Sequence, residues 1–319
     1  MRIAVVGAGA IGGFIAAALS RAGIEVAVVA RGAHLEAIRR GGLAVHTSDL
    51  GRFHARLEAT HDLGTLGELD AVLLTFKAHQ WPELLPQLAS LSQSHATIVT
   101  LQNGLPFWFV REPPLESVDP GGAIAAAFPD ERIVGGVVHV SGHIREPGCI
   151  VQSGGTRYVL GNPGGGDPNA RTLAIVDAFR RAGLTPEPDT NVRATVWLKL
   201  VNNCGLNPVS ALRELTIEPM LADPEARAEV HDLMAEALAV GQAMGVVDEV
   251  DIDARIAYAA RLDDVKTSML QDRERGRALE YRPILGPVIE LAGRYGIAVP
   301  HVLAAYRALE DLDRERVRD

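Results

Sequence analysis

One lysine and two asparagines in the second half of the chain are spaced like residues on one face of a helix. Lys199, Asn203 and Asn207 stand four residues apart, so a helix through this stretch places all three on one face. Their neighbours are largely apolar, which is typical of a buried helix. Because buried polar groups need partners, this face is predicted to bind other polar side chains or a ligand. The alternative is a lysine that reaches the surface beside capping asparagines, since Pro208 places Asn207 close to a bend.

Further polar side chains follow two strand-like runs in the first half. Lys77 and Gln80 come after the run over residues 71–76, and Asn103 comes after the run over residues 97–101. In a doubly wound sheet, ligands bind at the carboxyl ends of the strands, so these residues are candidates for ligand contacts. The alternatives are a surface charge for Lys77 and a plain Asn–Gly turn for Asn103.

Three glycines near the start of the chain have the spacing of a pyrophosphate-binding loop. They form a G-x-G-x-x-G motif between a strand-like run and an alanine-rich helix, and a second strand-like run follows at residues 25–30. The glycines allow a tight turn, close approach of a phosphate and close helix packing. This order predicts a dinucleotide site, the alternative being a structural turn of another α/β protein. The predicted contacts are Gly7, Ala8, Gly9, Ala10, Ile11 and Gly12.

The residue after the second strand-like run indicates which dinucleotide binds. NAD-binding proteins usually carry an acidic residue here, which accepts the ribose 2′-hydroxyl. This chain has Ala30, Arg31 and Gly32 instead, and no acid before Glu36. An arginine can bind a 2′-phosphate through two hydrogen bonds, so Arg31 favours NADP(H) over NAD(H). The alternative is a solvated surface arginine.

Composition excludes several classes of function. The net charge of −9 disfavours a nucleic-acid partner. The two cysteines form no C-x-x-C pair, and His139 and His143, although four residues apart, fall in a strand-like run where surface or packing roles are expected, so we expect no metal site. No apolar run reaches the ~18 residues of a membrane span, and the first strand leaves no room for a signal peptide. We therefore expect a soluble, cytoplasmic protein without a membrane partner.

The order of the elements predicts two domains. Strands and helices alternate in the first half, and a hairpin around residues 145–148 suggests an antiparallel addition to a parallel sheet. We expect an α/β protein with an N-terminal Rossmann-type doubly wound sheet in residues 1–188 and an all-α domain in residues 189–319. The ligand site is expected in the cleft between them. The helical patterns cover 192–215, 224–244, 252–270, 281–295 and 301–317.

Taken together, these residues resemble the ketopantoate reductase family, also called the 2-dehydropantoate 2-reductases, over nearly the whole chain. The glycine loop is similar to the nucleotide loop of the family, and residues 101–104 match its L-Q-N-G turn. Residues 197–208 match its W-x-K-x-x-x-N-x-x-x-N-P helix. The sequence S-M-L-Q-D from Ser268, with Glu280 twelve residues after that serine, repeats a further family spacing.

The resemblance implies a reaction and roles for these residues. NADPH would reduce ketopantoate to pantoate in pantothenate biosynthesis, with the Lys199 ammonium as proton donor and Glu280 holding it in position. The implied substrate contacts are Asn103, Asn203, Asn207 and Ser268. The implied 2′-phosphate contacts are Arg31, Lys77 and Gln80. Asn103, Ser141 and Glu280 are also expected to contact the cofactor.

Three positions depart from the family pattern. Ile217 and Val265 replace asparagines, and Tyr281 replaces a frequent aspartate. The departures concern the surroundings of the substrate, so one alternative is a reductase or dehydrogenase of a different 2-oxo or 2-hydroxy acid. A second alternative is a non-catalytic NADPH sensor. The sequence is compatible with a monomer or a homodimer.

Overall fold

The computed structural model describes residues 1–261 and 265–318. Contacts divide the chain into two compact units, and neither is continuous in sequence. One unit comprises residues 1–102 and 123–193, and the other comprises residues 103–122 and 194–319. The predicted boundary between residues 188 and 189 did not anticipate that the segment 103–122 groups with the C-terminal part of the chain.

The first unit is built on one sheet. Six of its strands are parallel, in the order β5-β2-β1-β6-β7-β8. This is the order of a doubly wound sheet, with its reversal between β1 and β6. The ten strands of the described chain are β1 (Arg2–Val6), β2 (Glu25–Val29), β3 (Leu43–Thr47), β4 (Gly51–Ala55), β5 (Glu58–Thr60), β6 (Ala71–Leu74), β7 (Thr97–Thr100), β8 (Ile133–Glu146), β9 (Cys149–Gly161) and β10 (Thr185–Asp189).

The remaining strands extend the sheet beyond β8. The antiparallel β8–β9 hairpin confirms the predicted addition around residues 145–148, and β3 and β10 both pair with β9 in parallel. The sequence patterns did not predict β3 or β5, nor β4, whose side chains are mostly exposed, nor β10, which contains Pro186 and Pro188. Proline lacks the N–H of a strand interior and is tolerated in β10 because that strand pairs on one side, with β9.

Five helices accompany the sheet: α1 (Ala10–Arg21), α2 (Gly32–Gly41), α3 (Trp81–Ala89), α4 (Ala123–Ala127) and α5 (Ala170–Arg181). Helix α1 is apolar along most of its length, and Phe14, Ile15 and Leu19 are fully buried in the core of the unit. Its burial holds the preceding glycine loop at the carboxyl end of β1, which is where a doubly wound sheet binds its ligand.

The second unit is helical, and the expected fold class is confirmed. Its helices are α6 (Val192–Arg213), α7 (Ile217–Ala222), α8 (Pro224–Ala243), α9 (Ile252–Ala259), α10 (Ser268–Glu274), α11 (Tyr281–Tyr295) and α12 (Pro300–Arg318). The prediction of one helix over 252–270 was wrong, because Thr267 caps a separate helix α10 by accepting the Leu270 N–H. No helix in the described residues has the length and hydrophobicity of a membrane span.

Helix α6 is fixed from one side by α8. The fully buried indole of Trp197 donates a hydrogen bond to the Ala237 carbonyl at 3.1 Å. A Cβ at Gly241 would overlap this indole, so a glycine is needed for the close approach of the two helices. The packing sets the orientation of α6, and therefore of the polar face that carries Lys199.

Candidate functional site

Each glycine of the N-terminal loop has its own structural reason. Gly7 has φ +101°, and a Cβ there would lie 2.6 Å from the Phe76 nitrogen. A Cβ at Gly12 would overlap the Gly7 carbonyl and the Thr75 hydroxyl, so this glycine lets α1 pack against the loop. A Cβ at Gly9 would meet nothing within 4 Å. The space over Gly9 is therefore open, as a site for a bound phosphate requires.

The start of α1 supplies hydrogen-bond donors next to this space. Gly9 is the N-cap residue and provides no side-chain cap, while the Gly13 N–H already bonds the Gly9 carbonyl at 2.8 Å. The first three helical amides, those of Ala10, Ile11 and Gly12, have no carbonyl partner within the helix. Their N–H groups and the positive end of the helix favour an anion at this position, so the loop fits the pyrophosphate of a dinucleotide.

Four other predicted cofactor contacts, Arg31, Lys77, Gln80 and Ser141, also lie in the sheet unit, whereas Asn103 and Glu280 lie in the helical unit. Arg31 directly precedes α2 and forms an ion pair with Glu83, both side chains being exposed. Gln80 closes the turn after β6, since its side-chain carbonyl accepts the Lys77 N–H at 3.0 Å. Ser141 lies in the β8–β9 hairpin, where its hydroxyl donates to the Gly154 carbonyl at 3.4 Å. This bond lies within the hairpin and not at the glycine loop.

The helical unit brings the predicted lysine and carboxylate together. Lys199 lies on α6, and Glu280 immediately precedes α11 and is 5% exposed. Burial lowers the pKa of Lys199 to about 8, and the charge of Glu280 opposes that shift. An ammonium group with this pKa can release a proton near neutral pH, which is the property required of a general acid. Asn203 and the buried Asn207 follow on the same face of α6.

The short helix α10, which begins at Ser268, is hydrogen-bonded to the C-terminal end of α6. Its neighbour Thr267 donates to the Ser210 hydroxyl at 3.0 Å, and Ser210 lies three residues after Asn207. Arg273 on the same short helix donates to the Ala211 carbonyl at the end of α6. Sequence reasoning missed Ser210 and Thr267, because a single threonine before an apolar run is a weak signal of a helix cap.

The three departures from the family pattern all belong to the helical unit. The Ile217 N–H donates to the Val265 carbonyl at 3.1 Å, which joins two of the departing positions directly. Tyr281 packs edge-on against Tyr306, with ring centroids 5.0 Å apart. Burial raises the pKa of Tyr281 to about 12, so this side chain is neutral where an aspartate would carry charge.

Asn103 also belongs to the helical unit, since it is the first residue of the segment 103–122. The next residue, Gly104, has φ +84°, and a Cβ there would overlap the Pro283 carbonyl of α11. The asparagine is therefore attached to the helix that Glu280 precedes. Among the residues that the structure describes, no group of three His, Cys, Asp or Glu side chains could hold a metal ion.

Comparison with known proteins gives a consistent result. Residues 3–165 match the family described as ketopantoate reductase PanE/ApbA, and residues 191–313 match its C-terminal counterpart. A 2-dehydropantoate 2-reductase from Mesorhizobium japonicum is 38% identical over 99% of both chains. A candidate ketopantoate reductase from Ralstonia solanacearum MolK2 has a TM-score of 0.92 and 35% identity, covering 99% of this chain and 98% of that one. D-Mandelate dehydrogenase, solved with NADH and anilino(oxo)acetate, shares the fold with a TM-score of 0.85 at 21% identity, covering 99% and 100% of the two chains.

Proposed function

Because the chain belongs to the ketopantoate reductase family, we propose that it reduces 2-dehydropantoate to pantoate with NADPH, as a step of pantothenate biosynthesis. The family match confirms the predicted family and the predicted enzyme class, an oxidoreductase that acts on CH–OH groups. The observation that carries the proposal is the pairing of Lys199, with its pKa lowered to about 8, with the buried Glu280.

The residues of the helical unit account for the proton and for the substrate. When bound, NADPH supplies the hydride. The Lys199 ammonium stabilises the negative charge that develops on the ketone oxygen and delivers the proton to it. Glu280 favours the charged form of the lysine and holds it in place. The hydroxyl and carboxylate groups of the substrate are assigned to Asn103, Asn203, Asn207 and Ser268.

The sheet unit supplies the cofactor contacts. The open space over Gly9 and the amides at the start of α1 fit the pyrophosphate. Arg31, Lys77 and Gln80 are assigned to the 2′-phosphate, with Arg31 exchanging its ion pair with Glu83 for the phosphate. Ser141 is kept as a proposed cofactor contact of this unit, and Asn103 and Glu280 are proposed to contact the cofactor from the helical unit.

Arg31→Ala is expected to weaken NADPH use selectively. Loss of the guanidinium removes a charge-assisted contact to the 2′-phosphate, worth about 1.4–3 kcal/mol, so KM for NADPH should rise by about tenfold or more. NADH lacks that phosphate, and its KM should change little. The measurement is KM for both cofactors, with Arg40→Ala on the exposed end of the same helix as the matched control. An equal loss with NADPH and NADH would contradict the assignment of Arg31.

The rate is expected to fall on the alkaline side of the pKa of Lys199. The protonated lysine is the active form, so kcat should decline as pH rises through about 8. In Glu280→Gln the charge that supports the ammonium is gone, and the pKa of Lys199 should fall further. The alkaline limb should then move to lower pH. The test is the pH profile of kcat for both proteins; coincident limbs, or a shift to higher pH, would show that Glu280 does not act on this proton.

The proposed function itself is tested by NADPH oxidation in the presence of 2-dehydropantoate and a panel of other 2-oxo acids. Turnover of 2-dehydropantoate well above the panel is expected. The departures at Ile217, Val265 and Tyr281 motivate the second candidate, a reductase of another 2-oxo acid, which faster turnover of a panel member would support. Tight NADPH binding without turnover of any acid would favour the non-catalytic sensor.

A further inference from the structure

One face of α11 holds the segment that begins with Asn103. We call residues 103–122 the strap. Pro283, Gly286, Glu290 and Arg294 are spaced by three or four residues, so they lie along a single side of the helix. Each of the four contacts the strap. The helix that Glu280 precedes is therefore also the support of Asn103.

The half of this face farther from Glu280 contacts the strap through charged side chains. The Glu290 carboxylate accepts the backbone N–H groups of Glu116 at 2.8 Å and of Ser117 at 2.7 Å. Arg294, one turn further along, donates to two consecutive carbonyls at 2.9 Å, those of Pro113 and Pro114. Bonds to ionised groups are the stronger class, so this half secures the middle of the strap.

The half of this face nearer to Glu280 contacts the strap through a backbone carbonyl, which lacks its usual helical partner because of a proline. In an α-helix the carbonyl of residue 283 bonds the N–H of residue 287, but Pro287 has no N–H. The Pro283 carbonyl instead accepts the Leu105 N–H at 2.9 Å. A buried carbonyl needs a partner, so the strap supplies the hydrogen bond that Pro287 cannot provide.

This bond fixes the strap two residues after Asn103. A Cβ at Gly104 would overlap the same carbonyl, and this glycine, with φ +84°, lies in a bend between Asn103 and Leu105. The hydrogen bond between Leu105 and Pro283 thus links two nearby parts of the proposed site. Asn103, the proposed substrate contact, precedes Leu105 by two residues, and Glu280, which supports the Lys199 ammonium, precedes Pro283 by three.

We propose that Pro287 is a positioning residue: by leaving the Pro283 carbonyl free to bind Leu105, it holds Asn103 in register with Glu280. This inference rests on the proposed function for the role of Asn103. The hydrogen bond itself is independent of that function, and the experiment separates the two.

The variant Pro287→Ala restores the helical N–H, which then competes with Leu105 for the carbonyl. Hydrogen exchange of the peptide containing Leu105 should accelerate, while the melting temperature should not fall, because a proline has been removed from a helix interior. With 2-dehydropantoate and NADPH, kcat should fall about fivefold, the equivalent of one hydrogen bond. The control is Pro86→Ala, which removes an exposed proline from inside α3 and should leave both exchange and kcat unchanged.

A double-mutant cycle with Asn103→Ala tests the route of the effect. If Pro287 acts through Asn103, then Pro287→Ala should change kcat by less than about twofold in the Asn103→Ala background. An equal loss in both backgrounds, or unchanged exchange at Leu105, would overturn the proposal. Absence of 2-dehydropantoate turnover in the unmodified protein would reject the proposed function instead, and the exchange result would still decide whether Pro287 frees the carbonyl for the strap.

Discussion

Lys199→Ala is expected to lower kcat by about 10²–10⁴-fold, the usual contribution of a general acid. The ammonium is the group on the polar face of α6 that can both stabilise an oxyanion and release a proton, since its pKa is lowered to about 8. The contacts to the pyrophosphate and the 2′-phosphate are assigned to the sheet unit, and Lys199 is not among the proposed cofactor contacts, so the dissociation constant of NADPH should change little. Steady-state kinetics and fluorescence titration with NADPH measure the two quantities separately.

The controls for this variant follow from burial. Removing Lys199 leaves the buried Glu280 carboxylate without its cationic neighbour, which costs stability and could be mistaken for a catalytic effect. The double variant Lys199→Ala/Glu280→Gln has neither charge, and its thermal stability should exceed that of Lys199→Ala. Its kcat should stay low. Lys199→Arg retains a positive charge but cannot release a proton near neutral pH, so it should also be slow. Recovery of turnover in the double variant or in Lys199→Arg would contradict proton delivery by Lys199.

Gly9→Ala and Gly12→Ala are expected to fail in different ways. A Cβ at Gly9 meets nothing within 4 Å in the protein, so Gly9→Ala should keep its melting temperature. The added methyl group occupies the space assigned to the pyrophosphate, and NADPH affinity should fall by at least about tenfold, or about 1.4 kcal/mol. A Cβ at Gly12 overlaps the Gly7 carbonyl and Thr75, so Gly12→Ala should lose about 1–3 kcal/mol of stability.

Thermal unfolding without cofactor and titration with NADPH measure these effects. The contrast between the two variants is the informative result, because both carry the same chemical change within one loop. Unchanged NADPH affinity in a folded Gly9→Ala protein would show that the cofactor does not pass over this glycine.

The sequence predicted the sheet best where local signals and burial agree. The glycine loop lies between an apolar strand and an apolar helix, and the β8–β9 hairpin has a Pro–Gly turn between two strand-like runs. The spacing of Lys199, Asn203 and Asn207 placed them on one face because α6 is continuous through this region. In each case the local sequence signal, a glycine loop, a turn or a helical spacing, matches the element that formed.

Other features depend on contacts between distant parts of the chain. The strap joins the helical unit through hydrogen bonds from Leu105, Glu116 and Ser117 to α11, and no local pattern reports such pairs. Strand β10 forms despite its two prolines because its partner β9 is long and has a free edge there. A proline inside a helical pattern signals a lost hydrogen bond, but the sequence does not show which group takes the freed carbonyl of Pro283.

The central claim is tested most directly by following the hydride. NADPH labelled with deuterium at the transferred position is incubated with the protein and 2-dehydropantoate, and the product is examined by mass spectrometry. We expect pantoate that carries one deuterium at its new CH–OH carbon, formed by the unmodified protein and about 10²–10⁴-fold more slowly by Lys199→Ala. Failure of the unmodified protein to form labelled pantoate, while a different 2-oxo acid takes up the deuterium, would contradict the assignment of 2-dehydropantoate as its substrate.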